Sequence, residues 1–162
     1  MSNDAIVLLK DDHKEVKQQF RAFEQAKDEA EKKQVVDRIL ELLTVHTYIE
    51  NEVMYPEVRK LLPDLEDDIL ESYEEHHVAD LLSLEIASME PSDERFDAKV
   101  TVLMENVKHH IQEEDEWFPK VREGLGRNQL QQMGEQMLET RKKAPRRPQA
   151  KVQAQETGQA QA

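Results

Sequence analysis

His46-Thr47-Tyr48-Ile49-Glu50-Asn51-Glu52-Val53-Met54-Tyr55-Pro56-Glu57-Val58-Arg59 recurs in altered form as His109-His110-Ile111-Gln112-Glu113-Glu114-Asp115-Glu116-Trp117-Phe118-Pro119-Lys120-Val121-Arg122. Both copies run from histidine through acids and an aromatic-Pro pair to Val-Arg. Each contains a His and a Glu four residues apart, a spacing that stacks imidazole and carboxylate one helical turn apart on one face. The other histidines follow double acids, His13 after Asp11-Asp12 and the pair His76-His77 after Glu74-Glu75, so the six histidines fall in four places.

The apolar pattern around these places is helical throughout. Ile6, Leu9, His13, Val16, Phe20 and Phe23 step by three and four behind Asp4, a candidate N-cap. The charged run Lys27–Lys33 reads as a connection, followed by the stripe Val36, Ile39, Leu43, His46, Glu50 and Val53. Pro56 should kink this second helix, and Leu62-Pro63-Asp64 should end it and cap the next. In the third helix Leu70, Tyr73, His77, Leu81 and Leu84 form the cleanest stripe, with Ile69, Ala79, Leu82 and Ile86 broadening it towards His76. After the turn Pro91-Ser92-Asp93-Glu94, the fourth stripe is Val100, Leu103, Val107, His110, Glu114, Trp117 and Val121, stopped at Gly124-Leu125-Gly126. Leu130, Met133, Met137 and Leu138 predict a short fifth helix.

Composition agrees with an all-α reading. Charged residues make up 35% of the 162-residue chain and aromatics 5%, with 4 glycines and 6 prolines. The fold class predicted is an up-down-up-down four-helix bundle over residues 1–126, a short C-terminal helix over 127–143 and a disordered basic, Gln/Ala-rich tail over 144–162. The absence of cysteine excludes disulfides, thiolate ligands and thiol catalysis. The N-terminal stretch has neither a basic n-region nor an apolar run long enough for a membrane span, which points to the cytoplasm and to no membrane partner. The net charge of −13 divides into +5 for residues 141–162 and −18 for the rest, which argues against nucleic acid on the folded body.

A single histidine in an apolar stripe is ordinarily a hydrogen-bonded core residue, but here all four stripes carry one. Burying four imidazoles and two carboxylates without a cation would cost several kcal/mol per unpaired group, roughly. Imidazole and carboxylate without sulfur suit iron, manganese or zinc, and carboxylates from opposing helices suit a dinuclear centre. The register of the fourth helix is open: alignment on the prolines selects His109 and Glu113, whereas helical phase selects His110 and Glu114. A one-residue bulge before Pro119 would reconcile them. Phase in the third helix leans to His77. Tyr55 offers a phenolate near the Pro56 kink as an alternative ligand, as Asp80 offers a carboxylate. On a straight helix Tyr55 falls about 180° from His46, which favours packing.

These residues carry a resemblance. His13, His46-x-x-x-Glu50, Glu74-Glu75-His76-His77, and His109-His110 with Glu113-Glu114 before Trp117-Phe118-Pro119 resemble the hemerythrin-like proteins of the HHE cation-binding family over roughly residues 5–125. The resemblance implies a bundle enclosing a non-haem centre of two iron ions, oxo- or hydroxo-bridged, with two bridging carboxylates. Carried over by position, it implies His13, His46 and Glu50 as ligands, with His110/Glu114 or His109/Glu113 from the last helix. Its Glu-Glu-His pattern favours His76 over His77. Oxygen-carrying hemerythrins have a second histidine four residues on in the third helix; here Asp80 and Leu81 stand four after His76 and His77. An open coordination position favours chemistry on a small diatomic or peroxide ligand, including catalase-like decomposition, over simple oxygen carriage. A metal store or sensor without turnover, and a metal-free interaction bundle, are the alternatives. A ferritin-like site would need Glu-x-x-His on two helices, and only Glu74-x-x-His77 is present.

Overall fold

The computed structural model describes residues 3–152. The elements are α1 (Ala5–Gln25), α2 (Glu29–Ile49), a π-helical turn (Glu50–Met54), α3 (Tyr55–Leu61), a 3₁₀ turn (Pro63–Leu65), α4 (Glu66–Ala87), α5 (Phe96–Gly124) and α6 (Arg127–Lys143). α2, the π-helical turn and α3 form one long helix. With α1, α4 and α5 it makes the predicted up-down-up-down bundle, and α6 docks against α1 and the π-helical turn.

Local chemistry sets the helix starts. Asp4 caps α1 by accepting from the amides of Ile6 and Val7, at 2.9 and 3.1 Å, and takes Arg122 of α5 on the same carboxylate. Asp28 caps α2 through the Glu31 amide, so the first connection is shorter than the Lys27–Lys33 run suggests. Asp64 caps nothing: it lies in the 3₁₀ turn, and α4 starts without a side-chain cap.

Two apolar clusters fill the bundle. One joins Phe20, Phe23, Ile39, Leu43, Phe96, Val100 and Leu103 around the α1–α2 connection. The other joins Leu9, Ile49, Met54, Tyr55, Trp117, Phe118 and Val121 with Leu130, Met133 and Met137 of α6. Between them lies a polar layer of His13, His46, Glu50, His76, His110 and Glu114, all buried.

Three expectations are corrected. The third-helix stripe runs along the wrong face: Leu70 and Leu81 are exposed, and the inward residues are Ile69, Ser72, His76, Ala79, Ser83 and Ile86. Small and hydroxylated side chains make up much of the inward face, so hydropathy does not mark it. The bulge lies before Pro56 instead of Pro119, because the Tyr55 amide bonds to the Glu50 carbonyl, five residues back. A widened turn accommodates a proline that has no amide proton to give. The segment 144–152 finds something to bury after all: Ala144 and Lys151 are buried, and residues 148–152 are helical. The remaining tail, 153–162, lies outside the described residues.

Candidate metal centre

Four helices each deliver one histidine at mid-length. His46 and Glu50 stand four apart on α2 and the start of the π-helical turn, as do His110 and Glu114 on α5; His13 comes from α1 and His76 from α4. The π-helical turn explains why alignment on the prolines misleads. Its extra residue puts Pro56 ten residues after His46, whereas Pro119 is nine after His110. It also turns Tyr55 inward by about 100° relative to a straight helix, which makes Tyr55 the spatial counterpart of Phe118. Phe118 stacks on His13, with centroids 6.0 Å apart, and Tyr55 lies against His76 at 5.1 Å. The straight-helix phase that favours packing for Tyr55 does not hold once the π-helical turn is present, and the sequence signal for that turn is the unequal His-to-Pro spacing.

The donor atoms converge. His46 Nε2 is 2.8 Å and His76 Nε2 3.2 Å from Glu50 Oε1, while His13 Nε2 is 3.2 Å and His110 Nε2 3.0 Å from Glu114 Oε1. Both glutamates have no side-chain exposure. Yet His13 Nε2, His46 Nε2, both Glu50 oxygens and Glu114 Oε1 lack a hydrogen-bond partner of acceptable geometry. The Tyr55 hydroxyl donates to Glu114 Oε2 at 2.8 Å and lies 3.1 and 3.3 Å from Nε2 of His76 and His110.

The far side of three rings is held. His46 Nδ1 donates to Asp12 at 2.9 Å, His76 Nδ1 to the Asn51 side-chain oxygen at 2.7 Å, and His110 Nδ1 to Glu75 at 2.9 Å. A proton fixed on Nδ1 leaves Nε2 as a lone pair aimed inward, the arrangement a ligating histidine needs. The His76 and His110 Nε2 atoms lie 3.2 Å apart, a contact that a proton on His110 bridges when no cation is there. Asp12 and Glu75 each precede an inward histidine, so an acid-His pair supplies one ring and orients the ring of the neighbouring helix.

Without a metal, protons do the neutralising. Burial disfavours the charged form of His46, but the Glu50 and Asp12 carboxylates outweigh it and push the ring up to about 10. His110 is likewise raised well above the usual imidazole range, against its burial, by Glu114, Glu50 and Glu75. His76 is lowered, first by burial. Glu50 is driven well below the carboxylate range despite burial by His46, Glu114 and His110. Burial, then Glu114 and Glu50, raises Tyr55 well above an ordinary phenol.

The remaining candidates lie elsewhere. His77 is exposed, and His109 and Glu113 sit on the outer face of α5, where His109 Nε2 meets Glu113 at 2.8 Å. Asp80 is held by Lys151, whose ammonium reaches both its oxygens at 2.9 Å and Thr47 Oγ1 at 2.6 Å. Two sets of donors therefore remain inside, His13, His46, Glu50 and Glu114 in one, Glu50, His76 and His110 in the other, with Glu50 shared. Orphaned buried atoms and an all-nitrogen-and-oxygen donor set fit metal binding.

A buried cluster of histidine and carboxylate in a four-helix bundle defines a metal-binding class of helical protein. The chain belongs to the hemerythrin HHE cation-binding domain family, whose description matches residues 4–121. It is 30% identical over 141 residues to a protein of Nostoc sp. (strain PCC 7120 / SAG 25.82 / UTEX 2576) named DNA nickase; that match covers 86% of this chain and 40% of the relative. The crystal structure of a hemerythrin HHE cation-binding domain-containing protein from Mycobacterium kansasii matches with a TM-score of 0.74 and 20% identity, over 86% of each chain, a likeness of fold.

Proposed function

We propose that the chain is a non-haem di-iron protein that acts on small oxygen species, hydrogen peroxide foremost. The observation that carries this is the set of buried, unpaired Nε2 and carboxylate atoms between the two apolar clusters. His13 and His46 would hold one iron and His76 and His110 the other, with Glu50 and Glu114 between them. Iron in such a site supplies a Lewis acid and one-electron steps.

The chain's own residues shape what reaches it. A cavity of about 100 Å³ is lined by His13, His46, His76 and His110 together with, among others, Arg38, Arg141 and Arg146. That space admits water-sized molecules, and peroxide or a diatomic is of that size. α4 supplies one inward histidine; Asp80 is held by Lys151 and His77 is exposed, so Tyr55 would be the group beside a ligand bound near His76 and His110. Its hydroxyl holds a proton against Glu114 Oε2, within reach of any ligand between His76 and His110.

The nickase relative raises DNA as a substrate. The charge of the body speaks against it, because −18 over the first 140 residues repels phosphate. Among the described residues no helix is long and apolar enough to cross a membrane. The test is peroxide consumption by iron-loaded protein, with Glu50→Ala and free iron at equal concentration as controls. Turnover above both supports the reading, and turnover equal to free iron refutes it.

A further inference from the structure

The two halves of the centre are built alike except at their outer rims. On one side Asp12 accepts from His46 Nδ1, and its outward side is closed by Arg141 of α6, whose Nη2 reaches both carboxylate oxygens at 2.9 and 3.0 Å. On the other side Glu75 accepts from His110 Nδ1 with Oε1. Its side chain is slightly more buried than that of Asp12, 13% against 15% exposed. Among the described residues, however, the ion-pair contacts of Glu75 are with histidines only. Where Arg141 stands for Asp12, Glu75 meets His109 and Glu113.

That meeting has the form of a metal site. His109 Nε2 lies 2.8 Å from Glu113 Oε1, one turn on along α5, and 3.8 Å from Glu75 Oε2 on α4. One donor atom from each of the three lies within 4.8 Å of the others. In a tetrahedral site with bonds of about 2.0–2.1 Å, donor atoms stand about 3.3–3.4 Å apart, and the two distances to His109 bracket that value. One imidazole and two carboxylates suit Zn²⁺, Fe²⁺ or Mn²⁺, and three protein donors leave a place for exchangeable water. An exposed His-Glu pair at this spacing is usually only a weak surface contact. Here a third donor comes from another helix, and it is the buried acid that lacks the cation its counterpart has.

We propose that Glu75, His109 and Glu113 form an outer site for a divalent first-row cation, joined to the buried centre through the two oxygens of Glu75. A cation on Oε2 withdraws charge from the carboxylate that His110 donates to, as Arg141 does for Asp12 and His46. Occupancy of the outer site therefore weakens the hold on the His110 ring and makes the two halves electrostatically alike. The outer site's three donors are distinct from those of the buried centre, so it can be filled whichever metal, if any, the buried centre holds.

The test uses the full chain and zinc as the probe. Zinc binding is titrated on wild type, His109→Ala, Glu113→Gln and, as a control for adventitious binding to an exposed imidazole, His77→Ala. Crystals of wild type and His109→Ala equilibrated with zinc then locate the ions by anomalous scattering. The outer site predicts one zinc equivalent more in wild type and His77→Ala than in His109→Ala or Glu113→Gln. It also predicts an anomalous peak at His109 Nε2 that disappears in His109→Ala while density among His13, His46, His76 and His110 is unaffected. Equal zinc stoichiometry and affinity in wild type and His109→Ala, or surface zinc density at His77 and none at His109, would overturn the proposal. Because the two locations give separate peaks, an empty buried centre would count against the di-iron reading alone.

Discussion

Asp12→Ala probes how far the centre depends on residues that do not touch it. The substitution removes the acceptor 2.9 Å from His46 Nδ1 and leaves the Arg141 guanidinium without its carboxylate. His46 loses both the bond that fixes its proton on Nδ1 and the restraint that aims Nε2 at Glu50. Losing such an outer partner costs about 10–100-fold in metal affinity, equivalent to about 1.4–2.8 kcal/mol. The loss should fall on one metal of the two, because His76 and His110 keep Asn51 and Glu75. The assay is competition of the iron-loaded protein against a chelator of graded strength. Wild type should release its metals over one narrow range, and Asp12→Ala should release one of them 10–100-fold earlier, roughly. Arg141→Ala leaves Asp12 in place, so its release curve should lie much closer to wild type than that of Asp12→Ala. Equal release curves for Asp12→Ala and wild type would refute the argument that Asp12 orients a ligand.

Further expectations follow from the same geometry. Tyr55→Phe removes the hydroxyl 2.8 Å from Glu114 but none of the His or Glu donors, so metal content should hold while peroxide turnover falls by about 10²-fold or more, measured by initial rates. In the metal-free protein His46 is raised from 6.5 to about 10, so its stabilisation is complete below 6.5 and is lost as pH rises through 10. Metal must displace that proton, so between pH 6.5 and 10 metal affinity should rise with pH while apo stability from this group falls; titrations across that window check both signs. Gly134→Ala should destabilise by about 1–3 kcal/mol in denaturant melts, because a Cβ at that position of α6 would overlap the carbonyl oxygen of Asn3.

The legibility of this chain differs from helix to helix, for physical reasons. In α5 the apolar side chains are large and lie on the buried face, so phase alone turned His110 and Glu114 inward and His109 outward. In α4 the buried face carries Ser72, Ala79 and Ser83, and Leu70 and Leu81 face out; the family's Glu-Glu-His pattern chose His76 where hydropathy chose His77. The π-helical turn was present in the sequence as one extra residue between His46 and Pro56, but nothing local assigned it to that copy. Assigning it required knowing that Tyr55 and Phe118 occupy equivalent places. Lys151 was unreadable for another reason. A lysine in a Pro- and Gln-rich segment is ordinarily solvated, and only the fold brings it to Asp80 and Thr47.

The account rests on the buried histidines and glutamates holding two irons. Metal analysis of full-length protein, purified from cells supplied with iron and with no metal added afterwards, tests this most directly. It should find about two irons per chain in wild type and a loss of most of the iron in Glu50→Ala, whose carboxylate is shared by both sets of donors. Well-folded wild-type protein without a bound transition metal, or a Glu50→Ala variant that retains both irons, would contradict it.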